Sequence, residues 1–160
     1  MSPDLRHVES WVFDLDNTLY SAECQLFAQI DKRMTEFIRN RFAMEHGEAR
    51  RLQKAYYVEY GTTMSGLMTQ HDVCPDEFLE FVHDIDVSVV KKNGSLKEAL
   101  SALPGRKFIF TNGSVKHAEN VAGALGVLDD HVRRRSAFFE ARFAFNHRDL
   151  VLFHQVLHAA

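Results

Sequence analysis

A short apolar run, Trp11-Val12-Phe13, ends in two carboxylates, Asp14 and Asp16, with a single residue between them. The run is β-prone and too short for a helix, so it reads as a buried strand with the acidic pair where the strand stops. In open parallel α/β sheets the crevice beyond the carboxyl ends of the strands is where ligands bind. Two carboxylates held this close repel, and burying them costs several kcal/mol unless a cation or a proton intervenes. A hard divalent cation would relieve the repulsion. The alternative is a polar turn that caps the next helix, with Asn17 and Thr18 as its turn residues.

Bulk properties leave room for one domain with a proper core, or a core carrying a modest insertion: the chain has 160 residues, 46% hydrophobic and 26% charged. A net charge of -3 gives no reason to expect nucleic-acid or membrane partners. Cys24 and Cys74 lie far apart without metal-ligand spacing, so neither a disulfide framework nor a zinc site is expected, and both read as semi-buried thiols. The first ten residues are polar and mixed in charge, and no apolar run reaches membrane-span length. The expectation is a soluble cytoplasmic protein, with no expectation about its oligomeric state.

Residues 21–90 carry helical signals and no convincing strand. From Cys24 to Phe42, apolar residues recur at three- and four-residue steps (Phe27, Ile30, Met34, Phe37, Ile38), which predicts a long amphipathic helix. Glu48 to Tyr60 predicts a second. The stretch from Gly61 to Gly66, with small hydroxyl residues between the glycines, predicts a loop suited to touching a ligand. Pro75-Asp76-Glu77 opens a further helix burying Phe78, Phe81, Val82 and Ile85. Beyond residue 90, Ser95 to Glu98 has the form of a capping box, and Pro104-Gly105 marks a turn. Lys107 to Phe110 reads as a strand ending at Thr111-Asn112-Gly113, and Ser114 caps a helix that Gly126 closes. Helix, strand, polar loop and helix in that order form a unit of a right-handed parallel sheet.

In such a sheet Thr111, Asn112 and Gly113 would gather around an anion beside Asp14, with the positive end of the helix after Ser114 adding to them. Asp14-Leu15-Asp16-Asn17-Thr18-Leu19 and Phe110-Thr111-Asn112-Gly113-Ser114 together resemble the first and second motifs of the haloacid dehalogenase-like (HAD) hydrolases, which are largely magnesium-dependent phosphatases. With Tyr56-Tyr57-Val58-Glu59-Tyr60-Gly61-Thr62-Thr63-Met64-Ser65-Gly66-Leu67 and Leu125-Gly126-Val127-Leu128-Asp129, the resemblance narrows to the pyrimidine 5'-nucleotidase branch, over about residues 8–129.

The resemblance implies an α/β fold: a doubly wound, Rossmann-like core over residues 1–20 and 91–130, and a helical cap over residues 21–90 inserted after the first strand. Residues 131–160 form an atypical tail. It further implies that Asp14 is the nucleophile that forms an aspartyl-phosphate, and that Asp16 is the general acid and base. Thr111, Asn112 and Gly113 would bind phosphate, and Asp14 and Asp16, the latter through its main-chain carbonyl, would hold Mg2+ with a later acidic residue. Thr62 and Thr63 are weaker candidates for touching a nucleotide substrate.

The pattern departs from the family after the second motif. The family also uses a lysine, usually followed by proline, and an acidic pair at a fourth strand end. Here Lys116 is the last lysine, Pro104 the last proline, and Asp129-Asp130 follows a helix. Arginines at 133–135 and phenylalanines at 138, 139, 143 and 145 mark a change of character, which a truncated or frame-shifted C-terminus accounts for. Two readings from other classes stand beside the phosphatase: a catalytically impaired fragment that only binds phosphate, nucleotide or a partner, and a receiver-type phospho-acceptor domain. The helical insertion disfavours the receiver domain.

Overall fold

The computed structural model describes residues 5–128. Asp129, Asp130 and the atypical tail therefore lie outside the described residues. In chain order the elements are β1 (Ser10–Asp14), α1 (Leu26–Phe42), α2 (His46–Tyr60), α3 (Thr63–His71), α4 (Pro75–Val82), α5 (Gly94–Ala102), β2 (Arg106–Phe110) and α6 (Val115–Leu125). Short 3₁₀ turns at Ala22–Cys24 and Val87–Val89 flank the four helices α1 to α4.

The fold is mixed α/β. Among the described residues the sheet has two strands, β1 and β2, paired in parallel with Asp14 opposite Phe110. Gly105 launches β2 at φ 73°, where a Cβ would stand 2.5 Å from the Glu9 carbonyl oxygen, so no larger residue fits this turn. Trp11 Nε1 donates to the Pro104 carbonyl at 2.7 Å and pins the opposite side of the same turn.

The apolar side chains form two clusters. Phe37, Ile38, Tyr56, Leu67, Phe78 and Val82 unite α1 to α4, with Phe37 and Phe78 meeting edge to face at 5.1 Å. Leu15, Leu19, Leu26, Val121, Ala122 and Leu125 pack α6 under the strands, joined by Phe13 and Ile109. Ile85 packs against both clusters. The first turn of α1 is tied to the segment after α4: Gln29 Nε2 donates to the Asp86 carbonyl and Asp86 N–H to Gln29 Oε1, both at 3.0 Å.

Several expectations shift. β1 alternates between exposed and half-buried residues, with Val12 outward, because its side chains point alternately to the α6 side and away from it. The first helix begins at Leu26: Ser21 caps a 3₁₀ turn and Gln25 adopts a left-handed conformation that interrupts the chain there. Leu26 takes the inward position, so Phe27, one residue or about 100° on, is left 40% exposed. Residues 61–66 are mostly helix: only Gly61 and Thr62 stand outside α3, where the Thr62 hydroxyl accepts from Ser65 N–H and starts the helix. The cap of α5 is Asn93, accepting from Leu96 N–H at 2.9 Å, two residues before the expected Ser95. Cys74 is exposed at the start of α4; Cys24 is half-buried, and both are free thiols.

Candidate active site

Parallel pairing of β1 with β2 brings their carboxyl ends together, so the loops beginning at Leu15 and Thr111 leave the sheet on the same side. Leu15 has no exposed surface and its carbonyl accepts from Thr18 and Leu19 N–H. Asn17 at φ 58° completes this tight turn, a conformation that asparagine tolerates. An anchored Leu15 forces its neighbours Asp14 and Asp16 to present their carboxylates away from the core.

The two carboxylates differ in surroundings. Asp14 is exposed and accepts from the Thr18 hydroxyl at 2.6 Å. Asp16 is half-buried and accepts from three side chains: Tyr20 O–H at 2.7 Å and His117 Nε2 at 2.9 Å on Oδ1, and the Thr111 hydroxyl at 3.1 Å on Oδ2. The expectation that both carboxylates are buried therefore holds only in part, and for Asp16 side-chain donors supply the relief assigned to a cation. Burial alone would raise the Asp16 pKa. The His117 hydrogen bond and charge, with the hydroxyls of Tyr20 and Thr111, outweigh it and hold the carboxyl below its usual value. Burial, then the Asp16 charge and hydrogen bond, push the Tyr20 phenol upward, so it stays a donor throughout the neutral range.

The second loop closes on itself. Gly113 N–H donates to Thr111 Oγ1 at 3.0 Å, and Ser114 accepts from His117 N–H at 3.1 Å as the cap of α6. Asn112 is exposed between them. A Cβ at Gly113 would stand 2.8 Å from the His117 ring, so a residue without a side chain is needed here. His117 itself is 1% exposed and stacks on His83, the residue that ends α4, with ring centroids 4.2 Å apart and planes 14° apart. His83 Nδ1 lies 3.2 Å from Ser114 Oγ. Burial first, and then the neighbouring His117, lower the His83 pKa to about 4.

The structure thus gathers Asp14, Asp16, Thr111 and Gly113 at one end of the sheet. Thr62 and Thr63 bond elsewhere: the Thr62 hydroxyl meets Ser65, and the buried Thr63 hydroxyl donates to the Gln53 carbonyl at 3.1 Å. Three residues of the site escape sequence reasoning: Tyr20, His83 and His117. His117 had a usable signal, since it stands four residues before the buried Val121 and hence on the inner face of α6. His83 had none, because its place depends on how α4 returns toward the sheet.

For a hard cation the oxygen-rich end of β1 fits in part. The exposed Asp14 carboxylate and the Asp16 main-chain carbonyl are oxygen donors of the kind magnesium takes. The Asp16 side-chain oxygens are committed to the donors above. No cluster of three or more His, Cys, Asp or Glu suited to a metal occurs among the described residues. No helix among them is long and apolar enough to cross a membrane.

No protein-family model matches the chain. It is similar to phosphate metabolism protein 8 of Saccharomyces cerevisiae (strain ATCC 204508 / S288c), with 30% identity over 129 residues. The matched region covers 73% of this chain, which spans 40% of the length of the yeast protein.

Proposed function

We propose that the chain is a phosphatase of the HAD type, hydrolysing nucleoside 5'-monophosphates through an aspartyl-phosphate. The observation that carries this is the meeting of the two sequence motifs at one sheet end, with the Thr111 hydroxyl 3.1 Å from the Asp16 carboxylate across 95 residues of sequence. A yeast relative named for phosphate metabolism supports the same class of chemistry.

In this mechanism the exposed Asp14 carboxylate attacks phosphorus. The P–O bond to the nucleoside breaks, and Asp16, in the protonated form that its three donors make the minor one, gives that proton to the departing oxygen. Asp16, now an anion, takes a proton from water as the water oxygen attacks phosphorus, releasing phosphate and restoring Asp14. The three donors on Asp16 favour its anionic form, the one that activates water. The exposed Asn112 amide and the start of α6 orient the phosphoryl oxygens, and Thr111 joins them when its hydroxyl turns from Asp16 to the substrate. Magnesium, held by Asp14 and the Asp16 carbonyl, would neutralise charge on the transferring group.

The test is phosphate release from UMP and from an aryl phosphate with magnesium, comparing the chain with Asp14→Asn. Turnover that Asp14→Asn abolishes is the expected result; absence of any Asp14-dependent turnover overturns the catalytic claim. One sequence observation favours a second reading, a nucleotide-binding module without turnover: no lysine follows Lys116 to clamp the phosphate. Loss of one such electrostatic contact costs about 3 kcal/mol, or on the order of a hundredfold in rate. Nucleotide affinity without turnover would select that reading.

A further inference from the structure

We propose that His117 is the positioning residue of Asp16, and that His83, supplied by the helical insertion, holds the His117 ring in place. The catalytic consequence rests on the hydrolase function above; the positioning itself does not. A carboxylate that must first give and then take a proton needs one fixed orientation, and a side chain at a tight turn has rotamer freedom to lose. Tyr20 lies on the same turn as Asp16 and moves with it, so it cannot fix that carboxylate relative to the second loop. His117 can. It belongs to α6, is 1% exposed, and places Nε2 2.9 Å from Asp16 Oδ1. An ionised carboxylate only accepts, so Nε2 carries the proton of this bond.

The ring is fixed from its other side. His83 lies parallel to it at a centroid distance of 4.2 Å. The Ser114 hydroxyl accepts from His117 N–H, which leaves its own proton for His83 Nδ1 at 3.2 Å. Gly113 completes the seat, since any side chain there would displace the His117 ring. Hydrogen bonds and stacking thus run from the end of α4 to the acid-base carboxylate, and the seating of the helical insertion bears on Asp16 without touching it.

The experiment has two arms. In the first, magnesium-dependent hydrolysis of an aryl phosphate is measured for His117→Leu, His117→Gln and His83→Ala. A glutamine amide can reach the position of Nε2 and restore the donor; leucine cannot. The expected result is a fall in kcat of about a hundredfold for His117→Leu with KM little changed, because misplacing a reacting group by ~1 Å costs that much. His117→Gln recovers most of the loss, and His83→Ala falls between. Equal kcat for His117→Leu and the unaltered chain overturns the proposal, as does a glutamine variant no better than leucine. The second arm needs no turnover: long-range 1H–15N spectra of the histidine rings, recorded for the chain and for Asp16→Asn. A protonated Nε2 on His117 whose resonance shifts in Asp16→Asn supports the proposal; a His117 ring indifferent to that change overturns it. A chain without Asp14-dependent turnover would sink the hydrolase function alone, and the spectra would still decide the positioning.

Discussion

The Tyr20 hydroxyl donates to Asp16 Oδ1 at 2.7 Å, four residues back across the turn that Leu15 anchors. Tyr20 as a whole is 6% exposed and the bond is part-buried, so water competes with it only in part. Hydrogen bonds to a charged partner contribute about 1.5–3 kcal/mol, and Asp16 keeps two other side-chain donors when this one is lost. Tyr20→Phe should therefore lower stability by about 1–2 kcal/mol in urea denaturation at pH 7 with an unchanged slope. A midpoint identical to that of the unaltered chain would show that the bond contributes nothing to the fold.

His83 gives stability a defined pH dependence. Its folded pKa of about 4 lies below the unfolded value of 6.5, so between those values the unfolded chain binds the extra proton and stability rises with pH. The contribution is present above pH 6.5 and is lost as pH falls toward 4, by up to about 2 kcal/mol between pH 7 and pH 5. His117 and Asp16 face the same stack; the Asp16 pKa is lowered, so its contribution is lost only as pH falls through still lower values. His83→Phe keeps a ring on His117 and removes the titration. Its melting temperature should drop less between pH 7 and pH 5 than that of the unaltered chain, and parallel slopes would refute the assignment.

What the sequence made legible was local. Strand ends, the Ser114 cap and the closing Gly126 follow from backbone chemistry within a few residues, and Asp14 and Thr111 could be placed by parallel pairing alone. Register effects were less visible: whether Leu26 or Phe27 faces inward depends on a left-handed Gln25 that no periodicity announces. Gly61 and Gly66 look alike in sequence and do opposite things, one ending α2 and the other packed inside α3. Least legible were Tyr20, His83 and His117, because each owes its role to Asp16 or to a neighbour brought close by the fold.

Gly66 tests that packing directly. An added Cβ would stand 2.5 Å from both Cβ and Cγ of Tyr56, whose side chain is itself buried and hydrogen-bonded to His71 at 2.6 Å. Alanine would gain about 1 kcal/mol of helix propensity over glycine. Forcing α2 and α3 apart costs about 1–3 kcal/mol or more. Gly66→Ala should thus be destabilising on balance, by about 1–2 kcal/mol in chemical denaturation. A stabilised variant would mean that α2 and α3 can separate freely.

Thr62 and Thr63 adjoin one another and should respond differently to substitution. Thr63 is 5% exposed with its hydroxyl on the Gln53 carbonyl, so Thr63→Val removes one buried hydrogen bond at constant shape and should cost about 1 kcal/mol. With that hydroxyl committed inside the helical cluster, KM for UMP should not change. Thr62 is the cap of α3, and Thr62→Ala should also cost about 1 kcal/mol, while Thr62→Ser keeps the hydroxyl and the stability. Being half-buried, Thr62 retains some access to solvent. If it contacts substrate, Thr62→Ala should raise KM for UMP where Thr63→Val does not, at matched losses of stability. A KM raised by Thr63→Val and untouched by Thr62→Ala would reverse the assignment, and would require α3 to open before substrate binds.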